Sequence, residues 1–458
     1  MTAPVLLVLI ALVDVGVAFL LALGATAQGT FTFADNFFVV DSTSRLFLLL
    51  VNLIFLGIAT YVWTRVRSEP LLKEGISRYV TFALVFIAAC NLAVISHHLI
   101  TMWAFVEVST LAAIPLIQHG GRTAALRASW KYFLFSSVGL ALAFLGFACL
   151  GRSMELSGGP EVTYFFDGLA QAAQFPPDVW RRLGLMLVFL GFGTKLGLAP
   201  MYSWLPETYD AAPPATTALL AAVQFNVALM VLLRVLQVYR AADQSMVSFE
   251  LIALGLATMA VSALNVIATR NYKKLIAYAS INHAGVIAIG LGIGKNAAYG
   301  VIVYVVSNAF IKAILFLTAG KIRSHYHTED MGEVAGLIKD LPYSGLFFMV
   351  GTFALLGLPP FGSFLGELII MSVLIGAGYV TVFVAFCVIL TVTFVATGRS
   401  MFPMIWGEPK RKVNWGSQPI AAILPKLVFL CALVAMGLYL PAPVNTLFRQ
   451  VAVSLGAP

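Results

Sequence analysis

Lys195 lies in the middle of a hydrophobic segment, LGLMLVFLGFGTKLGLAPMYSW, five residues before Pro200. A lysine at mid-bilayer depth costs about 2.5 kcal/mol or more, so such a residue is expected to have a function and a partner. Glu107, Lys312 and Glu367 also lie deep in apolar segments. Buried amino and carboxyl groups can exchange protons near neutral pH. These residues therefore predict proton movement.

The relation between Glu107 and Lys195 decides which mechanism is open to the chain. Burial favours the neutral form of a carboxyl group, whereas a nearby lysine favours the ionised form. A pair on facing helices would respond to the approach of a third charge, which suits a proton-transfer gate. We predict that the two side chains lie within salt-bridge reach or are joined by one water. A protonated carboxyl group, hydrogen-bonded inside the bundle, is the structural alternative for Glu107.

Four other positions extend the candidate site. His283 stands about a third of the way into a span and could bridge two proton sites, since imidazole titrates near neutral pH; a packing role is the alternative. Lys312 follows Asn308 by four residues, on one face of the same helix. Glu367 is the predicted exit-side acceptor. Glu207, at the equivalent place in an earlier segment, is either a secondary site or an interfacial charge.

Some further charged residues are interpreted as structural. Arg234, Arg399 and Lys426 are expected to extend to the membrane surface, as long basic side chains near helix ends often do. Asp14, in the first apolar segment, is expected to contact a neighbouring subunit.

The composition excludes a soluble protein. Of the 458 residues, 60% are hydrophobic and 10% are charged, whereas soluble domains have about 25% charged residues. The net charge of +8 is interpreted as basic cytoplasmic loops rather than nucleic-acid binding. The four cysteines lie far apart within apolar stretches, and their spacing matches no metal site, iron–sulfur cluster or disulfide framework. We therefore expect a multi-pass membrane protein without a cofactor or metal.

Apolar segments long enough to cross a bilayer predict an all-α polytopic protein with about thirteen transmembrane helices. The first segment is not interpreted as a cleaved signal peptide, because it lacks a basic start and contains Asp14. The predicted spans are 4–24, 45–64, 79–95, 99–117, 131–150, 183–209, 215–239, 249–268, 274–293, 297–320, 345–375, 379–402 and 418–440.

The charges of the loops orient these spans. Thirteen spans put four basic loops on one side of the membrane, and the positive-inside rule assigns that side to the cytoplasm. We predict a protein of the inner (cytoplasmic) membrane with a cytoplasmic N-terminus. The basic loops are 65–78, 118–131, 270–274 and 409–412, and the loops on the other side are 25–44 and 151–182.

An internal repeat is the third feature of the chain. Segments 197–207 and 357–367 agree at six of eleven positions with an offset of 160 residues, and they contain Pro200 and the pair Pro359 and Pro360. Each copy falls in a unit of five spans, and an odd number inserts the second unit upside down. Paired broken helices in inverted repeats point to an ion site near the membrane midplane. The predicted divisions are 1–78 (N-terminal helices), 79–239 (first repeat), 249–402 (inverted second repeat) and 403–458 (C-terminal loop and helix).

The chain contains, in this order, the segments WAFVEVSTLAAIPLI, ASWKYFLFSSVGLALAFLG, GTKLGLAPMYSWLPETYDAAPP, RNYKKLIAYASINHAGVIAIGLGIG, SNAFIKAILFLTAGKI and GLPPFGSFLGELII. Together they resemble the antiporter-like membrane subunits of respiratory complex I, of Mrp antiporters and of membrane-bound hydrogenases. The resemblance runs from about residue 80 to residue 400. Some of the loops are most similar to those of component F of hydrogenase-4.

The resemblance implies roles for the candidate residues. It implies that Glu107 and Lys195 form a buried pair and that Glu367 is the terminal charged residue on the second broken helix. Lys312 and His283 are implied as the central groups. Such subunits bind no redox cofactor and are driven by electron transfer elsewhere in a larger assembly.

The chain departs from the family pattern at three positions. Asn226 stands where many members have a lysine, and Tyr209 and Asn308 stand where members have histidines. These replacements thin the central line of titratable groups. Water or His283 must then bridge the gap beside Asn226.

Three hypotheses follow for the function. The leading one is a proton-translocating subunit of a redox-driven complex, a membrane-bound hydrogenase or a complex I-like assembly with soluble redox subunits. The second is the proton-coupled membrane subunit of an inorganic carbon (bicarbonate or CO₂) uptake system with a zinc-containing soluble partner. The third is a non-pumping structural subunit. Carboxylates spaced among lysines, rather than converging oxygen ligands, favour protons over sodium.

Overall fold

The computed structural model describes residues 2–23, 30–68, 74–157, 162–239, 244–409 and 419–457, which are mostly helical. The helices are α1 (Thr2–Leu23), α2 (Ser42–Ser68), α3 (Ile76–Ile95), α4 (Leu99–Gln118), α5 (Thr123–Leu156), α6 (Phe166–Ala172), α7 (Val179–Leu196), α8 (Trp204–Ala211), α9 (Pro214–Ala218), α10 (Phe225–Tyr239), α11 (Gln244–Ala268), α12 (Tyr272–Ile293), α13 (Ala298–Tyr326), α14 (Leu337–Asp340), α15 (Pro342–Leu355), α16 (Gly362–Gly376), α17 (Val380–Trp406), α18 (Ile420–Leu438) and α19 (Ala442–Ser454). A π-helical turn, Leu219–Gln224, joins α9 to α10. A short antiparallel hairpin, β1 (Phe31–Phe33) and β2 (Phe38–Val40), precedes α2.

Within the described ranges, eleven helical stretches are long and apolar enough to cross a membrane. Each coincides with one of the thirteen predicted spans. The other two predicted spans, 183–209 and 345–375, are pairs of shorter helices, α7 with α8 and α15 with α16. The chain is therefore an all-α polytopic membrane protein, and this prediction is confirmed.

Several predicted boundaries are wrong. The sequence places the fifth span at 131–150, but α5 is 34 residues long, because its sequence contains no proline to end it. Most of the predicted basic loop 118–131 is consequently helical. Lys273, predicted in a loop, lies buried in the first turn of α12. Residues 410–412 of the last basic loop lie outside the described residues.

Two elements were not predicted. The β1–β2 hairpin occupies part of the predicted loop 25–44. The helix α19 follows the last span and is only 13 residues long, too short to cross a bilayer. It buries one face, through Leu447, Phe448 and Val451, and exposes the other.

The centre of the bundle consists of the helices that bear the candidate residues. The stretches Pro214–Tyr239 and Ala298–Tyr326 are buried throughout their apolar windows, and Tyr272–Ile293 is nearly so. By contrast, α1 and α17 are mostly exposed and apolar, as surfaces that face lipid should be. The polar groups of the three central helices are therefore shielded from lipid.

Small residues bring the helices of two pairs close together. A methyl group added at Gly146 would lie 2.7 Å from the carbonyl oxygen of Gly184, between α5 and α7. One added at Gly285 would lie 2.7 Å from the carbonyl oxygen of Gly255, between α12 and α11. Such contacts let membrane helices pack backbone to backbone. The first contact holds α7, which bears Lys195, against the polar face of α5.

The two broken helices end in the same way. Pro200 lies in the gap between α7 and α8, and Pro359 and Pro360 lie in the gap between α15 and α16. Gly197 and Gly357, just after the first half-helices, have φ values of 76° and 64°, which residues with a side chain rarely adopt. In both cases the next amide donates to a carbonyl five positions earlier, at 2.8 and 3.1 Å. This is the Schellman pattern that terminates a helix.

Two basic residues that were predicted to reach the membrane surface are buried instead. The guanidinium of Arg234 donates two bonds to the Asp41 carboxylate, at 2.5 and 2.8 Å, and one to Ser44 Oγ at 2.9 Å. Burial alone raises the pKa of Asp41, but the Arg234 charge and the bonds from Ser44 lower it to about 2. Lys426 is 1% exposed, with its ammonium 5.1 Å from the centroid of the Phe347 ring.

Replacing Asp41 by alanine is expected to lower the thermal stability of the protein in detergent, because Arg234 is left buried without a counter-charge. Removing one partner of a buried pair costs about 3–5 kcal/mol. In the wild type this contribution should be complete above about pH 4, the usual pKa of aspartate, and lost as the pH falls through about 2. The control is Glu155→Ala, which breaks a half-exposed pair with Arg152 and should cost less than about 1 kcal/mol. Equal losses in the two variants would contradict this account.

Candidate functional site

The predicted site residues lie on five different helices that face the interior of the bundle. Lys195 is in the last turn of α7, His283 is on α12, Lys312 is in the middle of α13 and Glu367 is near the start of α16. All four are at most 4% exposed. Glu107, on α4, is half-buried. Contacts divide these residues into two polar clusters with Lys312 apart from both.

In the first cluster, hydroxyl groups surround Lys195. Its ammonium donates to Thr110 Oγ1 at 2.5 Å and lies 3.5 Å from the Tyr132 hydroxyl. Lys195 and Glu107 form no direct salt bridge, although Thr110 and Glu107 are neighbours on α4 and the two charges interact electrostatically. Of the two predicted arrangements, direct contact is not formed. Linkage through one water stays a prediction.

The Glu107 carboxylate has one satisfied and one unsatisfied oxygen. Oε1 accepts a hydrogen bond from Ser137 on α5 at 2.9 Å. Oε2 is buried and has no hydrogen-bond partner. Because buried polar atoms are nearly always satisfied, a water or a proton on this oxygen is expected.

A hydrogen-bonded chain that was not predicted continues from Tyr132. Its hydroxyl donates to Gln224 Oε1 at 2.8 Å, and Gln224 Nε2 donates to Ser109 Oγ at 3.2 Å. Gln224 is the last residue of the π-helical turn, and such turns are frequent at functional sites. A glutamine inside an apolar span was the signal in the sequence. The chain links α5, α4 and the centre of the bundle.

Lys312 lies between the two clusters among apolar atoms. Its ammonium is 3.5 Å from the centroid of the Phe225 ring, a cation–π contact. Among the described residues, no carboxylate lies within salt-bridge distance of it. The neighbouring Asn226 donates to the Ala222 carbonyl at 2.6 Å, but its Oδ1 is buried without a partner.

Asn308 lies one turn before Lys312 on α13. Both atoms of its side-chain amide are buried without a hydrogen-bond partner. Asn226 and Asn308 thus present three unsatisfied polar atoms near the centre of the bundle. Buried polar groups of this kind usually bind water. Water is therefore expected at the positions where the chain departs from the family pattern.

The second cluster joins His283 to Glu367 through Tyr304, which was not predicted. His283 Nε2 is 3.1 Å from the carbonyl oxygen of Leu355, and Nδ1 is hydrogen-bonded to the Tyr304 hydroxyl. That hydroxyl is also 2.9 Å from Glu367 Oε1. The His283 and Tyr304 rings stack with centroids 5.3 Å apart. Three helices, α12, α13 and α16, contribute to this chain, and Leu355 ends α15.

A small cavity adjoins the second cluster. It has a volume of about 20 Å³ and is lined by His283 and Glu367 together with Thr393 and Thr397 of α17. Thr397 Oγ1 is buried there without a partner. A space of this size with polar walls can hold one water molecule.

Comparison with known proteins identifies the family. Residues 96–393, well over half of the chain, match the model of the NADH:quinone oxidoreductase/Mrp antiporter transmembrane family. The chain belongs to this family. The matched region contains Glu107 on α4 and all the candidate residues on α7, α12, α13 and α16. The resemblance recognised in the sequence is confirmed.

Relatives of this antiporter-family chain include components of several membrane assemblies. It is 28% identical over 433 residues to a hydrogenase-4 component F homolog of Methylacidiphilum infernorum, covering 92% of this chain and 89% of the relative. It is 27% identical to a Na⁺/H⁺ antiporter protein of Bacillus subtilis, covering 87% of this chain and 79% of the relative.

Solved structures establish the same fold. A chain of an archaeal membrane-bound sulfane sulfur reductase superposes with a TM-score of 0.87 at 21% identity, covering 99% of this chain and 92% of that one. A chain of the Mrp complex from Dietzia sp. DQ12-45-1b gives 0.86 at 20% identity, with the same coverage. A chain of Thermus thermophilus respiratory complex I gives 0.72 at 24% identity, covering 97% and 98%. All three are multi-subunit membrane assemblies.

Two secondary candidates of the antiporter-family chain lie outside both clusters. Glu207 forms a salt bridge with Lys131 at 2.7 Å and its side chain is 53% exposed, which favours an interfacial charge. Tyr209 is buried, with its ring edge-on to Phe316 and Trp204 at centroid distances of 5.4 and 6.3 Å. Its position favours packing over proton exchange.

Metal or cofactor ligands are not grouped in the part of the chain that the structure describes. There, no three histidine, cysteine, aspartate or glutamate side chains lie together as a metal site would require. The polar clusters consist of lysine, carboxyl, imidazole, amide and hydroxyl groups. What they can do chemically is hold and pass protons.

Proposed function

We propose that this chain moves protons across the membrane as an antiporter-like subunit of a redox-driven complex. The burial of Lys195 and Lys312 without a carboxylate in contact is the main support. A lysine that keeps a fixed charge in such a place is costly. A lysine that alternates between its charged and neutral forms relieves that cost for part of each cycle. Exchange of protons is therefore the role that best accounts for both residues.

The proposed path runs parallel to the membrane through the centre of the bundle. It begins at Glu107 and Lys195, continues at Lys312, and ends at His283 and Glu367. The first and last parts are supported by hydrogen-bonded groups. The central part depends on water held by the unsatisfied amides beside Lys312, which can pass protons over gaps that side chains cannot span.

The two halves of this path are proposed to belong to the inverted repeats 79–239 and 249–402. The matching helix ends at Gly197 and Gly357 support the repeat, since the same hydrogen bonds recur with the offset of 160 residues. Under this arrangement the N-terminus is cytoplasmic. The positive-inside distribution of the loops remains the basis for that orientation.

The proposed partners are other membrane subunits and soluble redox subunits of a hydrogenase-like or complex I-like assembly in the inner membrane. The relatives named as hydrogenase-4 and NADH-quinone oxidoreductase subunits support this choice. In the described residues, no feature favours inorganic carbon uptake over it. The carboxylates are separated by lysines and hydroxyl groups, which favours protons over sodium as the transported ion.

The test is replacement of Lys312 by methionine, which keeps the length of the side chain but cannot bind a proton. Sealed vesicles that contain the intact complex, driven by its own electron donor, should form a pH gradient roughly 10²-fold more slowly. Lys426→Met is the matched control, since Lys426 is also buried against a phenylalanine ring, and its rate should be near that of the wild type. A normal rate with Lys312→Met would favour the structural-subunit hypothesis.

A further inference from the structure

We infer that Tyr304 passes the proton between His283 and Glu367, an inference that depends on the proposed function. The Tyr304 hydroxyl is hydrogen-bonded to His283 Nδ1 on one side and lies 2.9 Å from Glu367 Oε1 on the other. No atom of Tyr304 is exposed, since its relative exposure is 0%. A hydroxyl group can accept one proton while it donates another. Tyr304 is therefore placed to act as a transfer group and not only as a packing residue.

The protons in this chain can be counted. A carbonyl oxygen only accepts, so the contact of His283 Nε2 with Leu355 requires a proton on Nε2. Either Nδ1 is bare, Tyr304 donates to it and a protonated Glu367 donates to Tyr304, or Nδ1 is protonated, donates to Tyr304, and Tyr304 donates to an ionised Glu367. The two states contain the same number of protons. One Nδ1–H bond and one carboxyl O–H bond exchange, and the hydroxyl proton moves from one side of Tyr304 to the other.

A water in the adjacent cavity does not offer His283 a second route. Both ring nitrogens of His283 are already hydrogen-bonded, to Leu355 and to Tyr304. The cavity of about 20 Å³ also borders Glu367, whose carboxyl group has a second oxygen to offer. A water there would receive the proton from Glu367 after it has crossed Tyr304.

Lys312 gives the transfer a direction. Its ammonium interacts electrostatically with His283. A positive charge on Lys312 disfavours a second positive charge on His283, because like charges repel strongly in the interior of a protein. A proton that arrives at Lys312 therefore shifts the shared proton from His283 through Tyr304 to Glu367, at the exit side.

The experiment is Tyr304→Phe in the intact complex, which removes the hydroxyl and keeps the ring that stacks on His283. The initial rate of pH-gradient formation in sealed vesicles should fall about tenfold or more, with the complex fully assembled. Tyr299→Phe is the matched control on the same helix. It removes a hydroxyl that donates to Asn445 at 2.9 Å, away from the cluster, and should leave the rate unchanged.

The outcomes separate this inference from the proposed function. A normal rate with Tyr304→Phe together with a lost gradient in Lys312→Met would overturn the relay and leave the function standing. Normal rates in both would overturn the function itself. If Tyr304→Phe fails to assemble, a fluorinated tyrosine at position 304 keeps the ring and hydroxyl but makes the hydroxyl more acidic. The relay predicts that it changes the rate about twofold or more, and an unchanged rate would overturn the relay.

Discussion

Replacing Lys195 by alanine is expected to abolish proton translocation while the complex still assembles. The alanine leaves the hydroxyls of Thr110 and Tyr132 without the only amino group in their cluster. Proton exchange between Glu107 and the centre of the bundle then has no basic group to receive it. The rate of pH-gradient formation in sealed vesicles should fall by roughly 10²-fold or more. Assembly should be retained, because removal of a buried charge does not by itself destabilise the fold.

The control for this variant is Lys131→Ala. Lys131 lies on α5 and pairs with Glu207 at 2.7 Å, with 30% of its side chain exposed. Loss of such a surface pair is worth about 1 kcal/mol or less, so both assembly and translocation should persist. If the two lysine variants translocate at the same rate, Lys195 is not a proton-transfer group.

The second large effect is expected from Glu367→Gln. Glutamine preserves the size of the side chain and can still hydrogen-bond Tyr304, but it cannot release a proton to the adjacent cavity. Protons would then reach His283 and stop, so that translocation falls by roughly 10²-fold. The measurement is again the pH gradient formed by vesicles that contain the intact complex.

The repeat provides a matched control for the glutamate. Glu207 lies 160 residues before Glu367 in the equivalent segment, but it is half-exposed and paired with Lys131. Glu207→Gln should translocate at nearly the wild-type rate. Equal losses in Glu207→Gln and Glu367→Gln would show that the two segments contribute alike and would contradict the proposed exit.

Much of the fold was predictable because it depends on local sequence. Apolar length predicts the spans, and Pro200 and the glycines after α7 and α15 end helices for steric reasons that act within a few residues. The deep positions of Lys195 and Lys312 were predictable for the same reason, since a charge in an apolar run is visible without any knowledge of packing.

The contacts of these residues were not predictable because they join helices that are distant in sequence. Tyr304 and Glu367 are 63 residues apart, and Tyr132 and Gln224 are 92 residues apart. A tyrosine or glutamine in an apolar span shows nothing in the sequence about its partner. The end of α5 was misplaced because polar residues continue a helix beyond the membrane without a break. Arg234 was misjudged because its partner, Asp41, lies in a preceding loop.

The most direct test of the central claim is the number of protons moved per electron pair by the intact complex in sealed liposomes. The wild type and Lys195→Ala should be compared at matched amounts of assembled complex. If the buried groups of this chain form a proton path, the ratio falls in the variant, or electron transfer and proton movement stop together. An unchanged ratio at an unchanged turnover rate would contradict the account.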